Sequence, residues 1–212
     1  LMSAIATVPL LIAIPDLTFT DAFFETMSGL STTGATVLVG LDHLPASINL
    51  WRHALNWYGG MGIIVLVVAI LPLLGVGGMQ VYKAETPGPM KDEKLTPRIT
   101  QTARALWFIY FLITAACIAS LKLTGMNWFD AICHAFAALA LGGFSTYDAS
   151  VGHFDSPAIE AVLIVFMLIA AMNFSRHFIA WQQKSLRTYL GDVEARALLL
   201  IIGLSTAGLA LL

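Results

Sequence analysis

Two short strings hold the chemistry this sequence can do. Thr32-Thr33-Gly34-Ala35-Thr36 and Leu141-Gly142-Gly143-Phe144-Ser145 each place a Gly-centred turn directly after a short run of apolar or small residues. They fall in register at a constant offset of 109 residues without a gap. Asp21-Ala22-Phe23 lies on Asp130-Ala131-Ile132, Leu30 on Leu139, and Thr33-Gly34-Ala35-Thr36 on Gly142-Gly143-Phe144-Ser145. A half-length helix carries partial negative charge at its C-terminal end. The extended backbone that follows can turn carbonyl oxygens toward a common axis, and Gly34 and Gly143, lacking Cβ, can take the backbone angles this needs. Rings of backbone carbonyls that replace a hydration shell are how cation filters are built. A single such glycine reads as a turn or helix-packing residue. Two copies, each behind a half-length helix and before a spanning one, favour the filter.

The elements that must hold these turns are membrane helices. Of 212 residues, 58% are hydrophobic and only 11% charged, less than half the charge of an ordinary soluble domain. A mean hydropathy of +0.81 exceeds what one water-soluble core could hide. Intrinsic disorder is excluded by the same figure, and a net charge of −2 gives no bulk field for nucleic acid. Three stretches can span: Ala54–Leu74, Ala103–Leu121, and Ala158–Phe174 running on to Trp181. Between them, Asp21–Leu30 and Asp130–Leu141 are too short to cross and read as buried or re-entrant helices. Leu1–Ile14 and Leu198–Leu212 are apolar runs without flanks and read as pieces of helices from a longer chain.

Charge sets the orientation. Lys83, Lys91, Lys94, Arg98 and Arg104 fall between the first and second spans, and Arg176, Lys184, Arg187 and Arg196 after the third. Both regions are expected in the cytoplasm by the positive-inside rule. The opposite face carries Asp16, Asp42, Asp148 and Asp155, which would concentrate cations or serve only as solvated loop residues. A direct, uninverted repeat predicts parallel units around an axis normal to the membrane. Non-helical backbone at that depth is tolerated only against protein or a wet cavity.

Other candidates have plainer readings. Asp21 and Asp130 open the short helices and are expected as N-caps, with cation attraction as the alternative. Glu25, one turn in, suits a helix N-terminus, and its counterpart is His134, so it is not a repeated ligand. His43, His53, His134, His153 and His177 show no metal-binding spacing and are expected at loops or interfaces. Asn56 and Asn173, polar within spans, suggest helix–helix hydrogen bonds or a wet cavity. Cys117 and Cys133 lie in apolar runs, which argues against a disulfide framework or zinc. No G-x-S-x-G, P-loop or G-x-G-x-x-G occurs, so the chain does not read as an enzyme.

Phe24-Glu25-Thr26-Met27-Ser28-Gly29-Leu30-Ser31-Thr32-Thr33-Gly34-Ala35-Thr36 closely resembles the first pore segment of the Trk-type potassium uptake proteins, within the wider Trk/Ktr/HKT superfamily. Gly59-Gly60-Met61-Gly62-Ile63 and Ala69-Ile70-Leu71-Pro72 resemble the helix that follows it. Gly77-Gly78-Met79-Gln80, Ala84-Glu85-Thr86-Pro87-Gly88-Pro89 and Lys94-Leu95-Thr96-Pro97-Arg98 resemble the cytoplasmic linker, and Leu141-Gly142-Gly143-Phe144-Ser145-Thr146 the second filter. The resemblance implies an all-α polytopic membrane protein of four membrane–pore–membrane repeats around one pore, two of them covered here.

Residues 1–14 would end the outer helix of repeat 1, with 15–81 its pore helix, filter and inner helix. A cytoplasmic linker would occupy 82–102, repeat 2 would occupy 103–181, a second linker 182–197, and the start of repeat 3 would occupy 198–212. Carried over by position, Thr32, Thr33 and Gly34 would offer filter carbonyls from repeat 1, and Leu141, Gly142 and Gly143 from repeat 2. Leu141 stands where Thr32 does, which leaves a backbone carbonyl available and removes a hydroxyl. The turn is shorter than the Thr-Val-Gly-Tyr-Gly of potassium channels, so discrimination between K⁺ and Na⁺ should be weaker. The implied function is K⁺ transport, passive or coupled to Na⁺ or H⁺, across the bacterial inner membrane. The implied partners are a soluble nucleotide-binding regulatory ring and a second copy of the membrane subunit. A Na⁺-preferring transporter and a non-transporting membrane scaffold are the alternatives.

Overall fold

The computed structural model describes residues 2–66, 95–185 and 187–210. Among them the regular elements are all helices. The apolar N-terminal run forms α1 (Met2–Ala6) and α2 (Val8–Ala13), interrupted where Pro9 has no N–H to donate. The first short helix, α3, spans Phe19–Leu30 and the second, α6, Trp128–Ala140. Their caps correct the expectation for Asp21 and Asp130. The N-caps are Thr18 and Asn127, whose side-chain oxygens accept the Asp21 and Asp130 N–H groups at 3.1 and 2.8 Å. The aspartates stand one turn in, and each carboxylate accepts in return from its cap, at 2.7 Å from Thr18 and 2.6 Å from Asn127. The forward bond is that of a capping box, but the returning carboxylate takes the cap's side-chain hydrogen and not its backbone N–H.

α4 spans Ala46–Val65 and so begins eight residues before the expected span at Ala54. Hydropathy missed its first turns because they are polar, yet Asn49, Arg52 and His53 are buried there. The remainder of that stretch lies outside the described residues, as do the Gly77-Gly78 linker string, Lys83, Lys91 and Lys94. α5 runs Leu95–Leu123. Its segment Ala103–Leu123 is, among the described residues, the helix long and apolar enough to cross a membrane by itself, with mean hydropathy 1.9.

α7 spans Pro157–Ala171 and α8 Phe174–Gln183, which corrects the single helix expected to reach Trp181. Met172 is extended, with ψ 153°, and the chain bends by 97° across the break. The Ile169 carbonyl oxygen accepts the Met172 N–H at 3.2 Å, and His177 Nε2 lies 3.0 Å from the same oxygen, a second contact at the break. A short α9 (Arg187–Leu190) leads to α10 (Val193–Ala210), which starts five residues before the apolar run at Leu198.

The half-length α6 sits at the centre, packed on α4, α5 and α7, while α3 packs on α4 and α1. Ala131, Ala135 and Ala138 face this core. Small side chains let backbones approach closely, which matters where lipid removes the hydrophobic gain from helix contact. Met61, Leu106, Tyr110, Leu121, Leu139 and Leu163 fill the same cluster. Trp57 locks α4 to α5 by donating to Thr114 Oγ1 at 3.0 Å, and the Tyr110 hydroxyl donates to the Trp57 carbonyl at 3.2 Å.

Candidate functional site

The two turns after α3 and α6 repeat in backbone geometry. Thr32 and Leu141 both take left-handed angles, φ 56° and 55°, and Gly34 and Gly143 take φ 73° and 84°. The Thr33 N–H donates to the Ser28 carbonyl at 2.9 Å, and the Gly142 N–H to Ala137 at 3.1 Å. The Thr32 N–H donates to Gly29 at 3.0 Å, and the Leu141 N–H to Ala138 at 3.2 Å. Every one of these pairs is matched at the same offset. The crossing bonds form a Schellman closure, but its left-handed residue is Thr or Leu where glycine is usual. A left-handed non-glycine costs about 1–2 kcal/mol. Both copies bear that cost, and both reserve glycine for the second left-handed position two residues later.

Beyond the glycines, each strand is tied back to its own short helix. Glu25 accepts from Thr36 Oγ1, 2.9 Å from each carboxylate oxygen, and from the Val37 N–H at 3.2 Å. In the second copy His134 stands in the Glu25 position. Its Nδ1 lies 2.9 Å from the Asp130 carbonyl, so it is the donor there, which leaves Nε2 to accept from the Ser145 hydroxyl at 3.1 Å. Thr36 and Ser145 are themselves matched, and each accepts the N–H two residues on, from Leu38 and Tyr147, at 3.1 Å. The second copy adds Asp130, buried, which accepts from Thr146 Oγ1 and the Tyr147 hydroxyl at 2.8 Å each. Desolvation, then the Asp130 carboxylate, push the Tyr147 hydroxyl up to about 12, so it stays a donor through neutral pH.

Near the turns, further contacts join the copies. The buried Arg52 of α4 donates from Nε to Glu25 at 2.7 Å, with Nη2 also 2.7 Å from that carboxylate. Its remaining arms reach Thr36 Oγ1 at 3.2 Å, Asn49 Oδ1 at 3.2 Å and the Ser145 carbonyl at 3.4 Å. The guanidinium carbon lies 4.5 Å from the centre of the Phe144 ring. At the mouth, Asp148 accepts from the Gly40 and Leu41 N–H groups at 2.9 and 3.0 Å, so this aspartate is a clasp between copies. Between the turns, the Gly142 carbonyl oxygen occupies the place a Cβ on Gly34 would take. Asn56 fills the corresponding place at Gly142, fully buried, with neither side-chain amide atom hydrogen-bonded.

Thr32, Thr33, Gly34, Leu141, Gly142 and Gly143 therefore come together in two adjoining turns. A cleft of about 390 Å³ opens beside the second, lined by His134, Leu141, Gly142, Gly143, Phe144 and Glu160. His53 and His134, expected at loops or interfaces, lie buried behind the turns with ring centres 6.3 Å apart. Sequence reading missed Arg52. Its signal was a cation 27 residues after Glu25, on the face otherwise poor in Lys and Arg.

Half-length helices ending in matched glycine turns, packed among longer apolar helices, define a re-entrant-loop membrane protein built from direct repeats. The sequence model of TrkH, described as a cation transport protein, matches residues 1–212, and the chain belongs to that family. It is 59% identical over 182 residues to the Trk system potassium uptake protein TrkH of Escherichia coli K12, covering 86% of this chain and 38% of that protein. The TrkH protein of Halomonas elongata is 58% identical over 183 residues, again 86% and 38%. The crystal structure of the potassium transporter TrkH from Vibrio parahaemolyticus superposes with a TM-score of 0.84 at 49% identity. That match covers 96% of this chain and 41% of that one. The chain spans about two fifths of the length of these relatives.

Proposed function

We propose that residues 1–212 supply two walls of a cation path for K⁺ uptake, with backbone carbonyls of Thr32, Thr33, Gly34, Leu141, Gly142 and Gly143 as ligands. The observation that carries this reading is the matched backbone of the two turns: the same left-handed pair and the same two closing bonds recur although the side chains differ. Carbonyl coordination constrains backbone and is indifferent to the exchange of Thr32 for Leu141. K⁺ is the transported substrate here, and the names of the similar proteins favour it over Na⁺. The finer assignments rest on the resemblance alone: the bacterial inner membrane, a homodimer, and a nucleotide-binding ring on the basic face.

Potassium uptake by the full-length chain in a K⁺-transport-deficient strain tests the reading. Rescue of growth at low K⁺ is expected, with loss or relaxed K⁺/Na⁺ preference in Gly34→Ser and Gly143→Ser. Normal membrane insertion without rescue would favour a scaffold, and rescue with no change in either variant would remove both glycines from the filter.

A further inference from the structure

We propose that Arg52 is a positioning residue that fixes the spacing between the two filter turns and, through it, the preference for K⁺ over Na⁺. This rests on the reading that the turns line a cation path. Thr36 and Ser145 occupy matched positions, each two residues beyond its filter glycine. One guanidinium donates to both, from Nη2 to Thr36 Oγ1 at 3.2 Å and from Nη1 to the Ser145 carbonyl at 3.4 Å. The fork is planar and rigid, so the separation of its two arms is covalent. Glu25 holds its inner edge at 2.7 Å, Asn49 Oδ1 takes a further Nη1 contact at 3.2 Å, and Phe144 covers a face at 4.5 Å. With only 1% of the side chain exposed, no bulk water competes for these bonds. The brace is asymmetric: the residue 109 positions after Arg52 is Ala161, and the one after Glu25 is His134. The cation therefore serves the junction between the copies and is not a feature repeated within each. Filter selectivity depends on cavity size and on the number and field of the carbonyls, both of which follow from how far apart the strands are held.

A merely structural ion pair needs only some cation against Glu25. Lysine supplies that as a compact ammonium on a flexible stem, but it has no fork to span two strands. Arg52→Lys in the full-length chain, assayed for K⁺ and Na⁺ uptake in transport-deficient cells at matched membrane abundance, separates the two roles. The expected result is a K⁺/Na⁺ uptake ratio lowered about tenfold, with K⁺ uptake retained. A ratio equal to wild type would overturn the proposal. Should Arg52→Lys fail to accumulate, Thr36→Val decides by the same ratio, because it removes one strand's acceptor, together with that hydroxyl's bond to Glu25, and keeps the Glu25–Arg52 pair. A fall of about twofold supports the brace, and no change overturns it. A wild-type chain that takes up no K⁺ would instead sink the underlying reading, an outcome distinct from a selective wild type with an indifferent Arg52→Lys.

Discussion

In the first copy the strand beyond the turn is held by a carboxylate, Glu25, whose charge is matched by a buried arginine from the next helix. In the second, His134 stands at the same register and the work passes to neutral hydrogen bonds from Ser145 and to Asp130, itself bonded by Thr146, Tyr147 and Asn127. The φ angles of the turns nevertheless agree closely at both left-handed positions, 56° and 55° at the first and 73° and 84° at the second. The duplicated feature is therefore the path of the main chain, while the side chains that enforce it have diverged. Such divergence is what carbonyl ligation would permit, since only the direction of the oxygens is constrained.

The sharpest break between the copies should appear when each tether is cut. Arg52→Met leaves the buried Glu25 carboxylate without its countercharge, and loss of one member of a buried pair costs about 3–5 kcal/mol. His134→Ala removes a net contribution of about 0.5–1.5 kcal/mol for its bond to Ser145, besides the space it vacates. Thermal unfolding of the purified full-length protein in detergent should therefore fall much further for Arg52→Met. Equal losses would mean that the first copy does not depend on its ion pair.

A smaller asymmetry is expected at the glycines. Gly34→Ala pays for left-handed strain and also drives a Cβ into the Gly142 carbonyl, whereas a Cβ on Gly143 meets nothing within 4 Å. Strain alone is worth about 1–2 kcal/mol, so Gly143→Ala should retain more K⁺ uptake than Gly34→Ala. The reverse order would place the two strands differently from the packing described here. The aspartates one turn into each short helix should differ in the same direction. Asp21→Asn, half exposed, should cost a few tenths up to about 1 kcal/mol. Asp130→Asn, buried with three donors on its carboxylate, should cost about 1.5–3 kcal/mol. The same unfolding measurement ranks them, and parity would assign Asp130 to capping alone.

Much of this fold was legible because its signals are local. The half-length helices, the turn after each and the offset of 109 residues lie in composition and spacing, and Gly34 and Gly143 follow from the need for positive φ. Arg52 was not legible, since a charge in a helix reads as the edge of the membrane unless its partner is known. That partner, Glu25, lies on another helix, and its own burial depends on the strand that Thr36 anchors. The break at Met172 escaped for a related reason: the residues before it are apolar apart from Glu160 and carry no Gly or Pro near Met172 to mark a bend, and the His177 contact with Ile169 at the break comes from side-chain geometry. Asp21 and Asp130 were misplaced by one turn because Thr18 and Asn127 could each cap as well.

The central claim, that both turns offer carbonyls to one cation, is tested most directly by locating the ion. Crystals of the full-length protein grown in Rb⁺, an anomalous scatterer that substitutes for K⁺, should show density at coordinating distance from carbonyl oxygens of both turns, among Thr32, Thr33 and Gly34 on one side and Leu141, Gly142 and Gly143 on the other. Bound Rb⁺ elsewhere along the path, with neither turn in contact, would contradict the account.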